Sequence, residues 1–339
     1  MKKEKMMKRL AYVLMVFLAV GVAGCKMKQG EVLRPKISGS AGEVLVVAPD
    51  HVWNSPAGDT LRKLFSQEVP FLPQPEPMFN VLHITPGNFD KMFHTHRNIL
   101  IMQTGSQFKE PRLLVSHDRW ATPQLLITIQ APNVQEMAKA LHEGGDELVK
   151  RINDMEKKRI IDYYKHYLAT DVYNKVKEKY HILLDIPKGY TLDVDSADFA
   201  WISSETPQTS QGILIYTYPY RSEKIFNVDS LMDIRDRVLK KYVHGQIEGT
   251  YMATERQITP DFRTFKKDGQ YFAEMRGLWK LENGFMGGPF VSLTTVDEAR
   301  QRVVTVDGYV YAPGQKKREL MRQVESIVQS LKIVPPEKK

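Results

Sequence analysis

The chain has 339 residues, with 48 Lys and Arg against 40 Asp and Glu, a formal charge of +8, and a single cysteine. At 42% hydrophobic and 10% aromatic residues it can bury sizeable cores, so disorder is excluded. The positive balance does not point to nucleic acid. Five bases and one acid lie in the first 24 residues, so only +4 remains on the rest, without a basic stripe.

Residues 1–9 are basic, and residues 10–22 form a short apolar run. The exit reads Val22-Ala23-Gly24-Cys25. A basic head, a short apolar stretch and small residues are the layout of a secretory signal, and the run is too short to span a bilayer comfortably. The exit resembles the lipobox of bacterial lipoproteins, in which the cysteine receives the lipid. The resemblance implies cleavage before Cys25 and acylation of its thiol, palmitate included. The membrane partner is then reached through the N-terminal lipid, and two or more chains make a stable anchor. A lone thiol cannot close a disulfide within the chain, so Cys25 is spoken for. No acidic run follows it, which leans toward a periplasm-facing outer-membrane location.

Residues 25–42 are polar with Gly, Ser and Pro, and read as a lipidated tether. The apolar run 43–48 predicts a buried strand, and Pro49-Asp50-His51-Val52-Trp53 a loop. Asn54 or Ser55 caps a helix opened by Pro56. A proline-rich link (69–77) leads to strands at 78–84, 98–102 and 124–131, with a short helix from Pro86 to Phe93. From Asn133 a long helix carries Val134, Ala138, Leu141, Gly145, Leu148, Ile152 and Met155 at steps of three and four, one apolar stripe suited to covering a sheet. Gly144-Gly145 invites a kink or close packing. The helical pattern continues, with a break, to 179.

Near 180 the pattern changes. Strands are expected around 181–186, 199–203, 213–218, 249–257, 262–267, 270–281, 289–296 and 302–307, with hairpin turns at Asp268-Gly269 and Asn283-Gly284. Helices are expected from Asn227 or Asp229 to Val243 and over 315–331. The fold class is therefore α+β. Two α/β-type domains are expected, 43–180 and 181–333, the second mainly an antiparallel sheet packed by helices, followed by a tail at 334–339.

RGLWKLENGFMGGPFVS (276–292), DGYVYAPGQKKR (307–318) and GEVLVVAPDHVWNSPAG (42–58), together with the lipobox, resemble a family of uncharacterised Bacteroidetes lipoproteins built on a domain of unknown function. The resemblance covers essentially the whole mature chain. It implies an envelope lipoprotein and brings no activity, cofactor or catalytic residue. The second half, with IPKGY at 186–190 and IVQSLKI at 327–333, is similar in layout to the Mog1/PsbP-like sandwiches, which implies antiparallel sheets and a binding or assembly role.

Several constellations carry side chains suited to chemistry. Asp50, His51 and Trp53 follow the first strand, where open α/β sheets bind ligands, and supply an acid, a base and an aromatic for a small-ligand site or a hydrolase-like enzyme. His94 and His96, with His83 and Asp90, offer metal ligands if they alternate on a strand, but no third ligand sits at a motif spacing. Ser106 lies outside any GxSxG elbow, and His117-Asp118 are adjacent, so no triad is assigned. The turn NGFMGGPF (283–290) has three glycines expected to allow φ > 0 or close approach. Phe285, Met286 and Phe290, with Arg276 and Trp279, form a candidate contact surface of interface-type residues. The reading is a non-catalytic, lipid-anchored envelope protein binding a protein partner or an unidentified ligand, with no nucleic acid, cofactor or metal assigned. The alternative is a periplasmic enzyme using the loop after the first strand.

Overall fold

The computed structural model describes residues 33–336. The apolar run, Cys25 and the tether as far as residue 32 lie outside the described residues. No described helix is long and apolar enough to cross a membrane.

The first domain is a five-stranded sheet of β1 (Glu43–Val47), β2 (Asn80–Ile84), β3 (Asn98–Thr104), β4 (Arg112–His117) and β5 (Leu125–Ala131), in the order β2-β1-β3-β5-β4. All neighbours are parallel except β4, which runs antiparallel at the edge. The continuous apolar run of β1 follows from its central place, since side chains on both faces are covered. Val44 and Val46 face α2 (Pro56–Phe65) and α3 (Val134–His166). Leu45 and Val47 face the other way, under Phe89, Phe93 and Trp120. The short helix α1 (Asp50–Trp53) fills the expected loop. Ser55 caps α2 by accepting from the Ala57 amide, and Asn133 caps α3 by accepting from that of Glu136.

The 33-residue α3 is about 50 Å long at 1.5 Å per residue. Its stripe at Leu141, Leu148, Ile152 and Met155 covers the first sheet. At Gly145 α2 packs close, for a Cβ there would lie 2.4 Å from Leu64 Cδ1. Close packing, the second of the two expected uses of this glycine pair, is thus the role at 145.

The second domain follows a break at 167–169. It contains α4 (Thr170–Tyr180), β6 (Ile182–Leu183), β7 (Thr191–Asp195), β8 (Phe199–Glu205), β9 (Ser210–Pro219), α5 (Val228–Tyr242), β10 (Tyr251–Thr254), β11 (Asp261–Lys267), β12 (Gln270–Glu282), β13 (Gly287–Asp297), β14 (Arg302–Tyr311), α6 (Arg318–Val328) and β15 (Lys332–Ile333). An eight-stranded antiparallel sheet runs β10-β12-β13-β14-β9-β8-β7, with β11 pairing the first half of β12. Helices cover both faces. Val172 and Val176 of α4 and Val324, Ile327 and Val328 of α6 pack on one, with Phe272, Val291 and Val306. Leu231 and Leu239 of α5 pack on the other, with Met275, Trp279, Phe290 and Tyr309. The architecture is α+β, with a second, mainly antiparallel domain packed by helices.

Several elements differ from expectation. The change of pattern near 180 marks the end of α4, but Val172, Val176 and Tyr180 already belong to the second core. Tyr164, near the end of α3, belongs to that core as well. Of the apolar run 181–186 only Ile182–Leu183 pairs, antiparallel to β15. The helix expected from Pro86 is two 3-10 turns, Pro86–Asn88 and Phe93–Thr95. Within the expected tether, Lys36 bridges Thr122 and Ser38 bridges His96, so this part lies along the first domain.

The proline-rich link forms a strap across the second domain. Glu76 Oε1 accepts from the Lys317 amide at 2.5 Å and Oε2 from that of Arg318 at 3.2 Å. Arg318 donates back to the Pro77 carbonyl and Arg322 to that of Met78.

Candidate functional site

The most distinctive surface lies where β12 turns into β13. Residues alternate across a strand, so on β12 Trp279 falls on the α5 face with Met275, while Arg276 falls on the α6 face with Phe272. Trp279 is 2% exposed and its Nε1 donates to the Val310 carbonyl at 3.2 Å. Gly288 pairs opposite it, and a Cβ at 288 would sit 2.1 Å from the Val310 oxygen. Only a glycine lets β13 and β14 approach over the indole.

Around Trp279 gather Tyr309, edge-on at 5.7 Å, and Tyr311 at 6.1 Å between ring centroids. Trp201 joins from β8, its Nε1 donating to the Tyr309 hydroxyl at 3.1 Å. These rings form the wall and floor of a groove of about 330 Å³. Its rim carries Glu205, Gln208, His244 and Met286. Burial drives the Tyr309 phenol well above its ordinary value, so it stays neutral. Both indole donors are consumed internally, so the groove offers ring faces and edges more than free donors. That chemistry favours packing an apolar side chain over moving a proton.

The hairpin tip stands beside this groove. Asn283 takes φ 57°, and the Leu281 amide donates to the Met286 carbonyl. Phe285 is fully exposed, and Met286 is 36% exposed. Asn283 Nδ2 donates to the Gly249 carbonyl at 3.2 Å, tying the tip to a loop whose Ile247 is also exposed. Three large apolar side chains thus project from two joined loops.

The surface expected from the sequence is only partly assembled. Phe285 and Met286 are on it. Trp279 is the groove's buried base, and Phe290 is 1% exposed, its ring 3.7 Å beneath the Arg235 guanidinium. Arg276 lies on the opposite face, between the domains. The positive φ falls on Asn283 and not on the glycines of the turn. Trp201, Tyr309 and Tyr311 of the groove and the exposed Ile247 lie outside the expected set, and the alternation of Tyr309 and Tyr311 along a strand is the sequence signal for two of them.

The remaining candidates separate. Asp50 and His51 are exposed on α1. Trp53 is sandwiched between the His83 ring, stacked at 4.4 Å, and the Arg62 guanidinium at 4.4 Å. It therefore packs the domain edge, and none of the three lines the groove. His94 and His96 diverge, because a 3-10 turn precedes β3 and strand alternation does not apply. His94 stacks on Trp120, while His96 faces Glu43. Asp90 accepts from the Met92 amide. Among the described residues no three His, Cys, Asp or Glu side chains gather to hold a metal ion.

Fold and groove together define a two-domain α+β protein with an aromatic recess and an apolar tip. Residues 38–165 match the sequence model of one family, described as Domain of unknown function (DUF8532). Residues 169–330 match that of another, Domain of unknown function (DUF4837). The two matches meet at the break between α3 and α4. No curated protein matches the chain. Among solved structures, the human StarD13 (DLC2) lipid transfer and protein localization domain is similar at 12% identity. That likeness covers 48% of this chain and 95% of that one, at a TM-score of 0.22, and carries no argument.

Proposed function

We propose that this chain is a lipid-anchored protein of the bacterial cell envelope, attached through Cys25 to the periplasmic face of the outer membrane. It acts by binding a partner protein and not by catalysis. The basic head, short apolar run and Val22-Ala23-Gly24-Cys25 support the anchor. The observation that carries the binding role is the fully exposed Phe285 beside Met286 and Ile247, next to an aromatic-walled groove. A large apolar side chain held in water on an ordered hairpin gains by burial against a partner. The enzymatic alternative loses support because Asp50 and His51 stand exposed on α1 and do not line the aromatic groove.

One experiment tests both parts. Cells are labelled with palmitate, the envelope is crosslinked, and the chain is recovered. The wild type should carry label and bring down a defined partner. Phe285→Asp and Met286→Asp should keep label and fold but lose the partner, whereas Cys25→Ser should lose the label. Unchanged partner recovery with both aspartates would overturn the binding surface, and label on Cys25→Ser would overturn the anchor.

A further inference from the structure

A second recess lies on the α6 side of the second sheet, across that sheet from the aromatic groove, where the two domains meet. It measures about 330 Å³, within the usual range of small-molecule sites. One wall is apolar, made by Phe71 and Leu72 of the strap and Met321 of α6. The other wall is cationic. Lys157 of α3, Arg263 of β11, Arg276 of β12 and Arg318 and Arg322 of α6 all line it.

The lining itself carries two carboxylates, Asp261 and Glu325, against these five cations. Glu325 accepts from Lys157 at 3.1 Å and also from Arg276. Glu274 accepts from both Arg263 and Arg276, and Glu319 from both Arg318 and Arg322. Each of these three acids is shared between two cations. A fourth, Asp261, lines the same space from an exposed position on β11. Glu76 is committed to the start of α6. Burial, and then the neighbouring Arg276, bring the Lys157 amine down to about 8. A cation held in a positive field beside open volume is stabilised by an incoming anion.

We propose that this interdomain cleft binds an amphipathic anion, its carboxylate or phosphate head on Lys157 and Arg276 and its apolar segment against Phe71, Leu72 and Met321. Both heads offer the charged oxygens that ammonium and guanidinium groups bind best. The strap supplies most of the apolar wall, so the site exists only when both domains are in place.

The test reads Lys157 directly. The full chain, in a neutral maltoside detergent, is acetylated at pH 8, and the rates at Lys157 and at exposed Lys188 are followed by peptide mass spectrometry. Octyl phosphate, octanoate, inorganic phosphate and octyl glucoside are added in turn. Octyl phosphate or octanoate should slow acetylation of Lys157 about fivefold or more at saturation and leave Lys188 unchanged. Arg276→Gln should raise the protecting concentration by about tenfold or more, the loss expected for one charge-assisted hydrogen bond. Protection by only one of the two anions supports the site and identifies its head group. Equal protection by octyl glucoside overturns the anionic head, and equal protection by inorganic phosphate overturns the apolar segment. No protection by any of them overturns the site. If Arg276→Gln fails to fold, the pattern of protection on the wild-type chain still decides.

Discussion

His96 is 6% exposed, with Nε2 lying 3.4 Å from the Glu43 carboxylate and making no hydrogen bond. Burial lowers its pKa from the ordinary 6.5, and the opposing pull of Glu43 is smaller. The imidazole is therefore held neutral in the fold, while the unfolded chain takes up a proton near 6.5. Where the unfolded state binds more protons, stability rises with pH. The contribution of His96 is thus full above 6.5 and is lost as pH falls from 6.5 through the folded value. His181 is lowered too, chiefly by burial, and acts in the same direction, so the wild type alone does not isolate His96. The informative comparison is with His96→Gln. Between pH 7.5 and pH 5 the urea midpoint of the wild type should fall more than that of the variant, and parallel falls would show that His96 is not the group titrating.

At the scale of elements, the β12–β13 hairpin holds the groove and the tip in one piece. Its backbone tolerance is localised. Asn283 adopts the left-handed turn conformation, open to Asn at modest cost. Gly288 instead provides clearance, since the 2.1 Å approach of a Cβ would be to a backbone oxygen that cannot swing away. Gly288→Ala should therefore cost about 1–3 kcal/mol, typical of overpacking. Urea unfolding would measure it, and near-UV circular dichroism should show the Trp279 environment disturbed. An unchanged midpoint would mean that β13 shifts freely. The long strands β12, β13 and β14 were legible because apolar, aromatic and β-branched residues dominate them between clear turns. β7 and the edge strand β4 were not. Their apolar residues alternate with Asp or lie exposed, and pairing alone makes them strands. Trp279 and Phe290 read as contact residues because a sequence does not show that helices cover both faces of their sheet. The cleft was illegible for another reason: its cations come from α3, the β11–β12 hairpin and α6, far apart in the chain, and no local spacing announces them.

At the scale of the molecule, the two domains are joined by more than the break at 167–169. The first amides of α6 receive no cap from their own preceding residue. They are capped by Glu76, which the strap brings over from the first domain. Prolines at 70, 73, 75 and 77 narrow the strap's conformations before it docks, so less entropy is lost in holding Glu76 there. A carboxylate at a helix start also complements the helix dipole. Glu76→Ala removes both effects and should cost about 0.5–2 kcal/mol, the range for losing an N-cap. The loss should be local before it is global. Val324, Ile327 and Val328 still anchor the later turns of α6 in the second core. Hydrogen exchange should therefore quicken at residues 317–321 and stay unchanged at Val304 and Val306 in the middle of β14. Glu76→Gln, which keeps an acceptor but not the charge, should fall between the wild type and the alanine variant. If protection over 317–321 is the same in all three, the strap merely rests on α6. If β14 amides quicken equally, the cap is coupled to the whole second core, and docking of the first domain governs the stability of the second.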